Sequence, residues 1–172
     1  MKIPDRFTTE RLLIRRWKPG DVDSLREATS ETERELKDWM PGFLSDLAKA
    51  DEFLIEVETL FRQGKYFGYA ITNNEEVLGA ISLNIENENP EVSYWVRTDC
   101  TGQGIATEAL IALCDQVSSP GEFGTVQLRC DSSNFRSQRV AVKAGFFVHS
   151  EGRAPKRTEA QSGRELVYKR QR

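Results

Sequence analysis

Hydrophobic and polar residues alternate along this chain with two different periods. A period near two, which is typical of strands with one buried face, predicts seven strands. They cover residues 12–17, 66–72, 77–85, 91–97, 125–130, 146–151 and 165–169. A period near 3.6, which is typical of an amphipathic helix, predicts two long helices over residues 46–62 and 104–117.

Residues that commonly cap helices predict three shorter helices. Asp21 can cap a helix that runs to about residue 29, and residues 30–33, Ser-Glu-Thr-Glu, have the form of a capping box for a helix to about residue 39. Asn134 can cap a helix through residue 144, which Gly145 closes. Gly64 is placed to end the helix over residues 46–62 in the same way.

Residues typical of turns separate these elements. The Asn-rich stretch at 73–76 predicts a hairpin turn, and Ser-Ser-Pro-Gly at 118–121 predicts the end of a helix. Residues 152–163 are polar, basic and bounded by glycines, which predicts a mobile surface loop. The resulting order β-α-α-α-β-β-β-α-β-α-β-β predicts a mixed α/β fold in a single domain spanning residues 1–172.

The composition is that of an ordinary globular domain. Of 172 residues, 38% are hydrophobic and 30% are charged, and no apolar run reaches the length that crosses a membrane. The first residues have no apolar stretch of the kind found in a signal peptide, so we expect a cytoplasmic protein without a membrane partner. Cys100, Cys114 and Cys130 are scattered and form no Cys-x-x-Cys motif, so reduced thiols are expected.

Histidine chemistry contributes little to the expected function. His149 is the only histidine, and no other metal-ligating residue stands near it in a metal-binding pattern. A Ser-His-Asp hydrolase would have to be built on this residue, which is more typical of a strand surface. We therefore expect neither a metal nor a hydrolytic triad.

Charge is distributed unevenly along a chain whose net charge is −3. Residues 31–58 hold 3 basic and 9 acidic residues, and residues 129–172 hold 11 basic and 4 acidic ones. The acidic part favours a cationic acceptor, such as an amine or a basic peptide N-terminus, and the basic part favours phosphates. Solvated helix faces explain the same clusters almost as well. An RNA-associated protein is disfavoured by the negative net charge and by the absence of an interleaved basic and aromatic pattern. We therefore expect no direct nucleic-acid partner.

The most informative stretch joins the strand at 91–97 to the helix at 104–117. Gly102 and Gly104 let the backbone approach a ligand closely, and Gln103 between them adds an amide donor without bringing a negative charge. The first turn of a helix leaves its N–H groups without intrahelical partners and carries a partial positive charge, so it binds phosphate readily. The spacing matches neither a Walker loop nor a dinucleotide fingerprint. A phosphate-bearing ligand of another type is therefore expected here.

Four stretches in the same order resemble the GNAT superfamily of acetyl-CoA-dependent N-acetyltransferases. The branch concerned is the RimJ/RimL type, which acetylates the N-termini of ribosomal proteins. The stretches are residues 9–15, Thr-Glu-Arg-Leu-Leu-Ile-Arg; 77–83, Val-Leu-Gly-Ala-Ile-Ser-Leu; 102–109, Gly-Gln-Gly-Ile-Ala-Thr-Glu-Ala; and 134–146, from Asn-Phe-Arg-Ser to Ala-Gly-Phe. The resemblance implies a predominantly antiparallel central sheet of about six to seven strands, with helices on both faces. It also implies acetyl-CoA as co-substrate without a metal, and a homodimer by analogy.

The resemblance also implies which residues would hold the co-substrate. The pantetheine arm would pair with backbone around Trp95 and Val96. Asn134, three residues before Ser137, can hold a pantetheine amide or stabilise the start of its helix. Their helical spacing lets Arg136, Arg139 and Lys143 face the phosphate and adenine end, and a solvated helix face is the alternative. The diphosphate would contact backbone amides of the loop and first helical turn, namely Gly102, Gln103, Gly104, Ile105, Ala106 and Thr107.

Two residues are candidates for catalysis. Ser137 matches the position where this branch places a donor to the leaving thiolate, and an alternative is a solvated helix hydroxyl. Glu91, at the start of its strand, is a candidate to accept the proton of the amine through water, and an alternative is a carboxylate facing solvent. The expected reaction is direct attack of a primary amine on acetyl-CoA in a ternary complex.

Several alternatives stay open at this point. Thr101 stands where the superfamily has Gln or Arg, Gln103 where it often has Lys or Arg, and Ser93 where this branch often has Gly. These departures leave room for a non-catalytic module that binds coenzyme A. The acceptor, for its part, can be a protein N-terminal α-amine or a small molecule such as a polyamine or an aminoglycoside antibiotic.

Overall fold

The computed structural model describes residues 3–43, 49–73, 76–85, 89–117 and 124–171. In these residues, eight strands form one sheet in the order β1-β2-β3-β4-β5-β6-β8-β7. The strands are β1 (Arg6–Thr8), β2 (Leu13–Arg16), β3 (Tyr66–Thr72), β4 (Val77–Asn84), β5 (Glu91–Val96), β6 (Thr125–Asp131), β7 (Phe147–Arg153) and β8 (Arg164–Gln171). Every neighbouring pair is antiparallel except β5 and β6. The expected mixed, mainly antiparallel fold is confirmed, with a sheet one strand larger than the upper expectation.

Helices cover both faces of this sheet, as expected. The α-helices that lie wholly within the described residues are α1 (Val22–Ser30), α2 (Glu33–Trp39), α3 (Ala50–Arg62), α4 (Ile105–Val117) and α5 (Phe135–Lys143). One core lies beneath α4 and α5 and contains Ile81, Leu83 and Val92. The second core lies beneath α1, α2 and α3 and contains Ala70 and Trp95. Adjacent strand residues therefore supply opposite cores, which is the pattern that the period of two predicts.

The predicted helix ends meet different outcomes. Asn134 does cap α5, because its Oδ1 accepts a hydrogen bond from the Ser137 N–H at 3.0 Å. Gly64 and Gly145 adopt φ values of 69° and 82°, in the left-handed region that suits the ends of α3 and α5. Asp21 does not cap α1 with its side chain, since that carboxylate binds the Arg15 guanidinium and the Lys18 N–H instead.

The predicted capping box at residues 30–33 is wrong. Ser30 belongs to the last turn of α1, and its hydroxyl donates to the Glu27 carbonyl. Thr32 precedes α2, and its hydroxyl donates to the Ala28 carbonyl. Each hydroxyl thus satisfies a carbonyl at the end of the preceding helix rather than an N–H at the start of the next one.

Some sequence predictions fall wholly or partly outside the described residues. These are positions 46–48 of the third helix, positions 74 and 75 of the hairpin turn, and the helix end at 118–121. The strands on either side of that turn do pair antiparallel, as the hairpin requires. The loop before β8 is shorter than expected, because β7 continues to Arg153 and β8 starts at Arg164.

Candidate functional site

The sheet opens between β5 and β6. Among the described residues, this parallel ladder has two pairs, Glu91 with Gln127 and Val92 with Leu128. The Gln127 N–H donates to the Pro90 carbonyl at 2.8 Å, and backbone groups of a strand alternate between its two edges. The N–H and C=O groups of Tyr94, and the N–H of Val96, therefore point toward β6 where the pairing has ended. This gap offers an open strand edge to an extended ligand.

Trp95 and Val96 serve different parts of the site. The Trp95 backbone pairs with Ala80 of β4, so it faces away from the gap, while the Val96 amide faces into it. The Trp95 side chain lies in the second core and is only 7% exposed. Its indole N–H has no hydrogen-bond partner among the described residues. The structure therefore places Val96 beside the gap and the Trp95 ring in the wall of a neighbouring cleft.

The gap leads directly to the loop that precedes α4. Gly102 and Gly104 have φ values of 78° and 81°, which glycine adopts without the penalty that a Cβ brings. Residues 101–104 are exposed, and the Glu108 N–H donates to the Gly104 carbonyl at 2.9 Å as the first bond of α4. The N–H groups of Ile105, Ala106 and Thr107 therefore precede the intrahelical ladder and can bind an anion.

An arginine far away in the sequence holds this loop in place. The Arg11 guanidinium donates to the Gln103 carbonyl at 3.2 Å from both terminal nitrogens, and its Nε donates to Glu108 Oε2 at 2.9 Å. The Thr9 hydroxyl donates to the same carboxylate. Because a peptide unit points its C=O and its N–H in opposite directions, fixing the Gln103 carbonyl also fixes the direction of the Gly104 N–H.

Sequence reasoning missed this contact. Thr9 and Arg11 precede the strand predicted over residues 12–17, while Glu108 lies in the predicted helix, 97 residues after Arg11. Burial alone would raise the pKa of Glu108, but the hydrogen bonds from Thr9 and Arg11 lower it overall. The carboxylate is therefore charged at neutral pH and is matched by a guanidinium, so it does not oppose an anion at the loop. The residues themselves are visible in the sequence, but no local pattern connects them.

Gln103 is used within the loop. Its side-chain amide donates to the Asp99 carbonyl at 3.1 Å, which braces the turn. Thr101 acts similarly, because its hydroxyl donates to the Thr98 carbonyl at 2.8 Å. Both residues therefore stabilise the loop from inside, so the anion is left to the backbone amides.

On the other side of the gap, α5 presents the second group of predicted residues. Asn134 is occupied as the helix cap, and this holds the first turn that carries Ser137. The Ser137 Oγ lies 3.0 Å from the Tyr94 hydroxyl of β5, so this contact bridges the gap. Arg139 is exposed further along the helix and makes no ion pair with the described residues. Ser137 is thus brought to the gap, and Arg139 is exposed to solvent on the same helix.

Glu91 lies at the inner end of the gap, where β5 and β6 still pair. Its carboxylate accepts hydrogen bonds from Arg129 Nε at 3.0 Å and from Gln127 Nε2 at 3.2 Å. Arg129 also reaches Glu165 of β8 at 2.9 Å. The carboxylate predicted to accept a proton is therefore already engaged with a guanidinium and an amide.

A cleft approaches the gap from the face covered by α1, α2 and α3. Its empty volume, including the open mouth, is about 790 Å³. Tyr94 and Glu91 lie where the cleft meets the gap. The rest of the lining is mainly aromatic and aliphatic, with a few polar groups, and includes Trp17, Met40, Phe43, Phe53, Tyr66, Ser82, Ser93 and Trp95. A ligand in this cleft and a ligand in the gap would meet beside Tyr94.

Neither a metal-binding cluster nor a membrane-spanning helix is present in the described residues. No group of three or more His, Cys, Asp or Glu residues in them could hold a metal ion. No helix in them combines the length and the apolar character needed to cross a membrane. The single histidine, His149, is exposed on β7.

All three cysteines are expected to react slowly in the folded protein. Burial is the main cause that raises the pKa of Cys114 and of Cys130 to about 11, and it also raises the pKa of Cys100. Because the thiolate is the reactive form, these thiols stay protonated and unreactive at pH 8. Ellman's reagent should titrate three thiols after denaturation and none within the first minutes before it. A fast-reacting thiol in the native protein would contradict the buried placement.

Comparison with known proteins places this geometry in a family. Residues 11–147 match the model of the acetyltransferase (GNAT) domain. A ribosomal-protein-serine acetyltransferase of Escherichia coli is 34% identical over 92 residues, which cover 52% of this chain and 51% of that protein. The chain thus spans about half the length of this curated relative.

Solved structures share the fold at low sequence identity. RimL, a ribosomal-protein alpha-N-acetyltransferase in complex with coenzyme A, aligns with a TM-score of 0.85 and 20% identity, covering 98% of this chain and 97% of that one. The microcin C7 self-immunity acetyltransferase MccE, in complex with acetyl-CoA and AMP, also aligns with a TM-score of 0.85, at 16% identity, covering 95% and 94%.

Proposed function

The chain belongs to the family of GNAT acetyltransferase domains, and we propose that it transfers an acetyl group from acetyl-CoA to an amine. The proposed acceptor is the N-terminal α-amine of a ribosomal protein. The observation that carries this proposal is the meeting of three features at one point. An open strand edge at Val96 leads to an anion-binding turn, and an apolar cleft joins the gap at Tyr94.

The residues present fit acetyl-CoA as the donor substrate. Its pantetheine arm carries amides that can pair with the open edge of β5, and its diphosphate can take the amides from Gly102 to Thr107. We assign to Arg139, which is exposed on α5, the outer phosphate and adenine end. The backbone N–H groups facing the gap can also donate to the thioester oxygen, which stabilises negative charge as the tetrahedral intermediate forms.

The reaction is a direct acyl transfer in which a C–N bond forms and a C–S bond breaks. The neutral amine attacks the thioester carbon, and the intermediate then expels the thiolate. The amine nitrogen loses one proton and the thiolate takes one up, so the products are an amide and a free thiol. We assign to Ser137 the hydrogen bond that stabilises the leaving thiolate, because it lies on α5 at the edge of the gap.

The state of Glu91 favours an α-amine over a lysine side chain. An α-amine has a pKa near 7.7 to 8.0, so about a tenth of it is neutral at pH 7, whereas a lysine at about 10.4 needs a strong base. The candidate base is held by Arg129 and Gln127. An acceptor that is already partly neutral therefore suits this cleft, with Glu91 receiving its proton through water.

The cleft wall favours a peptide over a simple alkylamine. Its lining is mainly aromatic and aliphatic with a few polar groups, so it offers contacts to the first residues of a peptide that a simple alkylamine would not use. The Escherichia coli relative is named a ribosomal-protein-serine acetyltransferase, which points to the same class of acceptor.

A thiol-release assay tests the proposed function. The acceptors are ribosomal-protein N-terminal peptides, the same peptides blocked at the N-terminus, a peptide whose only amine is a lysine side chain, polyamines and aminoglycosides. We expect release with the free N-terminal peptides alone, with mass spectrometry locating the acetyl group on the α-nitrogen. Coenzyme A binding without any thiol release would instead support a non-catalytic binding module.

Light scattering would test the homodimer expected from the resemblance. Cell fractionation would test the cytoplasmic location expected from the sequence.

Replacing Arg11 with alanine should weaken coenzyme A binding about tenfold, the size expected from losing hydrogen bonds with a charged partner. The reason is that the Gln103 carbonyl is then free to turn and the loop amides lose their direction. Isothermal titration calorimetry measures the Kd. Arg26→Ala is the matched control, because Arg26 has similar exposure (55% against 51%) and pairs with Asp51 instead. Equal affinities for the two variants would contradict the role given to Arg11.

A further inference from the structure

The Tyr94 hydroxyl is a partly buried polar group that the proposed chemistry has not yet used. It lies 3.0 Å from Ser137 Oγ and 3.4 Å from the Ser137 carbonyl oxygen. Desolvation is the main cause that raises the pKa of Tyr94 above its ordinary value, so the hydroxyl keeps its hydrogen. An O–H donor that is partly shielded from water needs an acceptor, and both oxygens within hydrogen-bond distance belong to Ser137.

This contact decides where the serine can direct its own hydrogen. A serine hydroxyl has one hydrogen and two lone pairs, and the hydrogen rotates to suit its neighbours. If Tyr94 donates to Ser137 Oγ, the serine hydrogen cannot point back at the tyrosine. It remains free for a sulfur acceptor: the Cys130 thiol, with which Ser137 forms a side-chain hydrogen bond, or the leaving sulfur of a ligand in the gap. Donating to an oxygen also polarises its O–H bond and makes that bond a stronger donor.

We propose that Tyr94 is a positioning residue for Ser137, donating to its Oγ so that the serine hydrogen is directed at the sulfur of coenzyme A. This inference rests on the proposed function, because it gives Ser137 the role of donor to the thiolate. Two anchors hold the serine. The Asn134 cap fixes its backbone N–H, and Tyr94 reaches its side chain from the opposite side of the gap. The donor is therefore fixed before the substrate arrives.

The test is a double-mutant cycle on kcat with Tyr94→Phe, Ser137→Ala and the double variant. We expect Tyr94→Phe to lower kcat about tenfold with little change in either KM, since one hydrogen bond that acts in the transition state is lost. The double variant should match Ser137→Ala within about twofold, because Tyr94 has nothing to position once the serine hydroxyl is gone. Independent effects, which multiply in the double variant, would overturn the proposal, as would a Tyr94→Phe variant at the wild-type rate.

Tyr69→Phe is the matched control. Tyr69 is buried and its hydroxyl donates one hydrogen bond, to the Pro4 carbonyl at 2.9 Å, away from the gap. It should lose stability comparable to Tyr94→Phe and keep its kcat. If both variants lose the same fraction of activity, the effect of Tyr94 is structural and the proposal fails.

A second measurement does not depend on knowing the acceptor. The ultraviolet absorbance of the thiolate gives the pKa of coenzyme A bound to the protein. We expect this pKa to be lowest in the wild type, about one unit higher in Tyr94→Phe, and highest in Ser137→Ala, because a donor to sulfur favours the charged form. Identical values in wild type and Tyr94→Phe overturn the positioning role alone. Failure to bind coenzyme A at all overturns the proposed function as well. If the pKa of bound coenzyme A follows the expected order but no acceptor is acetylated, the positioning role stands and acetyl transfer is refuted.

Discussion

Gly79→Ala is expected to reduce the free energy of unfolding by about 3 kcal/mol, at the upper end of the effects of overpacking a core. A Cβ added at Gly79 would lie 2.3 Å from the Trp95 carbonyl oxygen and 2.9 Å from the Val96 Cα. Both are backbone atoms of the neighbouring strand, so no side-chain rotation can relieve the clash. The two strands must move apart, at a point where β4 pairs with the last residues of β5.

The same variant should lose most of its acetyl transfer, because Val96 carries one of the amides at the edge of the gap. Urea denaturation measures the stability, and thiol release measures the activity in the fraction that remains folded. Gly20→Ala is the control, since a Cβ there meets nothing within 4 Å. If the two alanine variants unfold at the same urea concentration, the strands do not approach each other this closely at Gly79.

Ser137→Ala is expected to lower kcat about 100-fold, the lower end of the effect of removing one hydrogen-bond donor to charge that develops in the transition state. Coenzyme A affinity should change little, because the hydroxyl interacts with the sulfur mainly after the C–S bond begins to break. The helix that carries Ser137 should stay intact, since Asn134 caps it through the Ser137 backbone N–H, which alanine retains. The measurements are steady-state kcat and the Kd for coenzyme A.

Ser150→Ala serves as the control for this variant, because Ser150 is an exposed serine on β7. It should keep the wild-type kcat. A Ser137→Ala variant with unchanged turnover would remove the serine from the reaction and leave stabilisation of the thiolate to backbone groups in the gap. A variant with lost affinity and unchanged kcat would instead make Ser137 a binding residue.

Features of the fold that depend on neighbouring residues could be predicted from the sequence. The glycines at 102 and 104 predicted a turn before a helix, and both have a positive φ in the structure. Asn134 predicted the start of another helix, which it does cap. The capping box predicted at residues 30–33 is wrong, although it too was inferred from neighbouring residues. The hydroxyls of Ser30 and Thr32 donate to carbonyls of the preceding turn instead of accepting from N–H groups of the next helix. The strand β1 was missed because three residues are too few to show a period.

Contacts between distant residues could not be predicted in the same way. Arg11 meets Glu108 across 97 positions, and Tyr94 meets Ser137 across 43. Nothing in the local pattern around either residue specifies its partner, because the partner is set by how the strands are ordered in the sheet. Glu91 shows the reverse case. Its place at the start of its strand was predicted, but Arg129 and Gln127, which bind its carboxylate, come from a strand whose register the sequence did not reveal.

The two-pair ladder between β5 and β6 has a further consequence for how the molecule holds together. It divides the sheet into two plates, one of five strands and one of three, hinged on two rungs. Acetyl-CoA bound in the gap would add backbone hydrogen bonds and join the two parts of the sheet. Binding should therefore raise the melting temperature and narrow the thermal transition. In such an enzyme the donor substrate is part of the sheet, and the protein without it is less rigid.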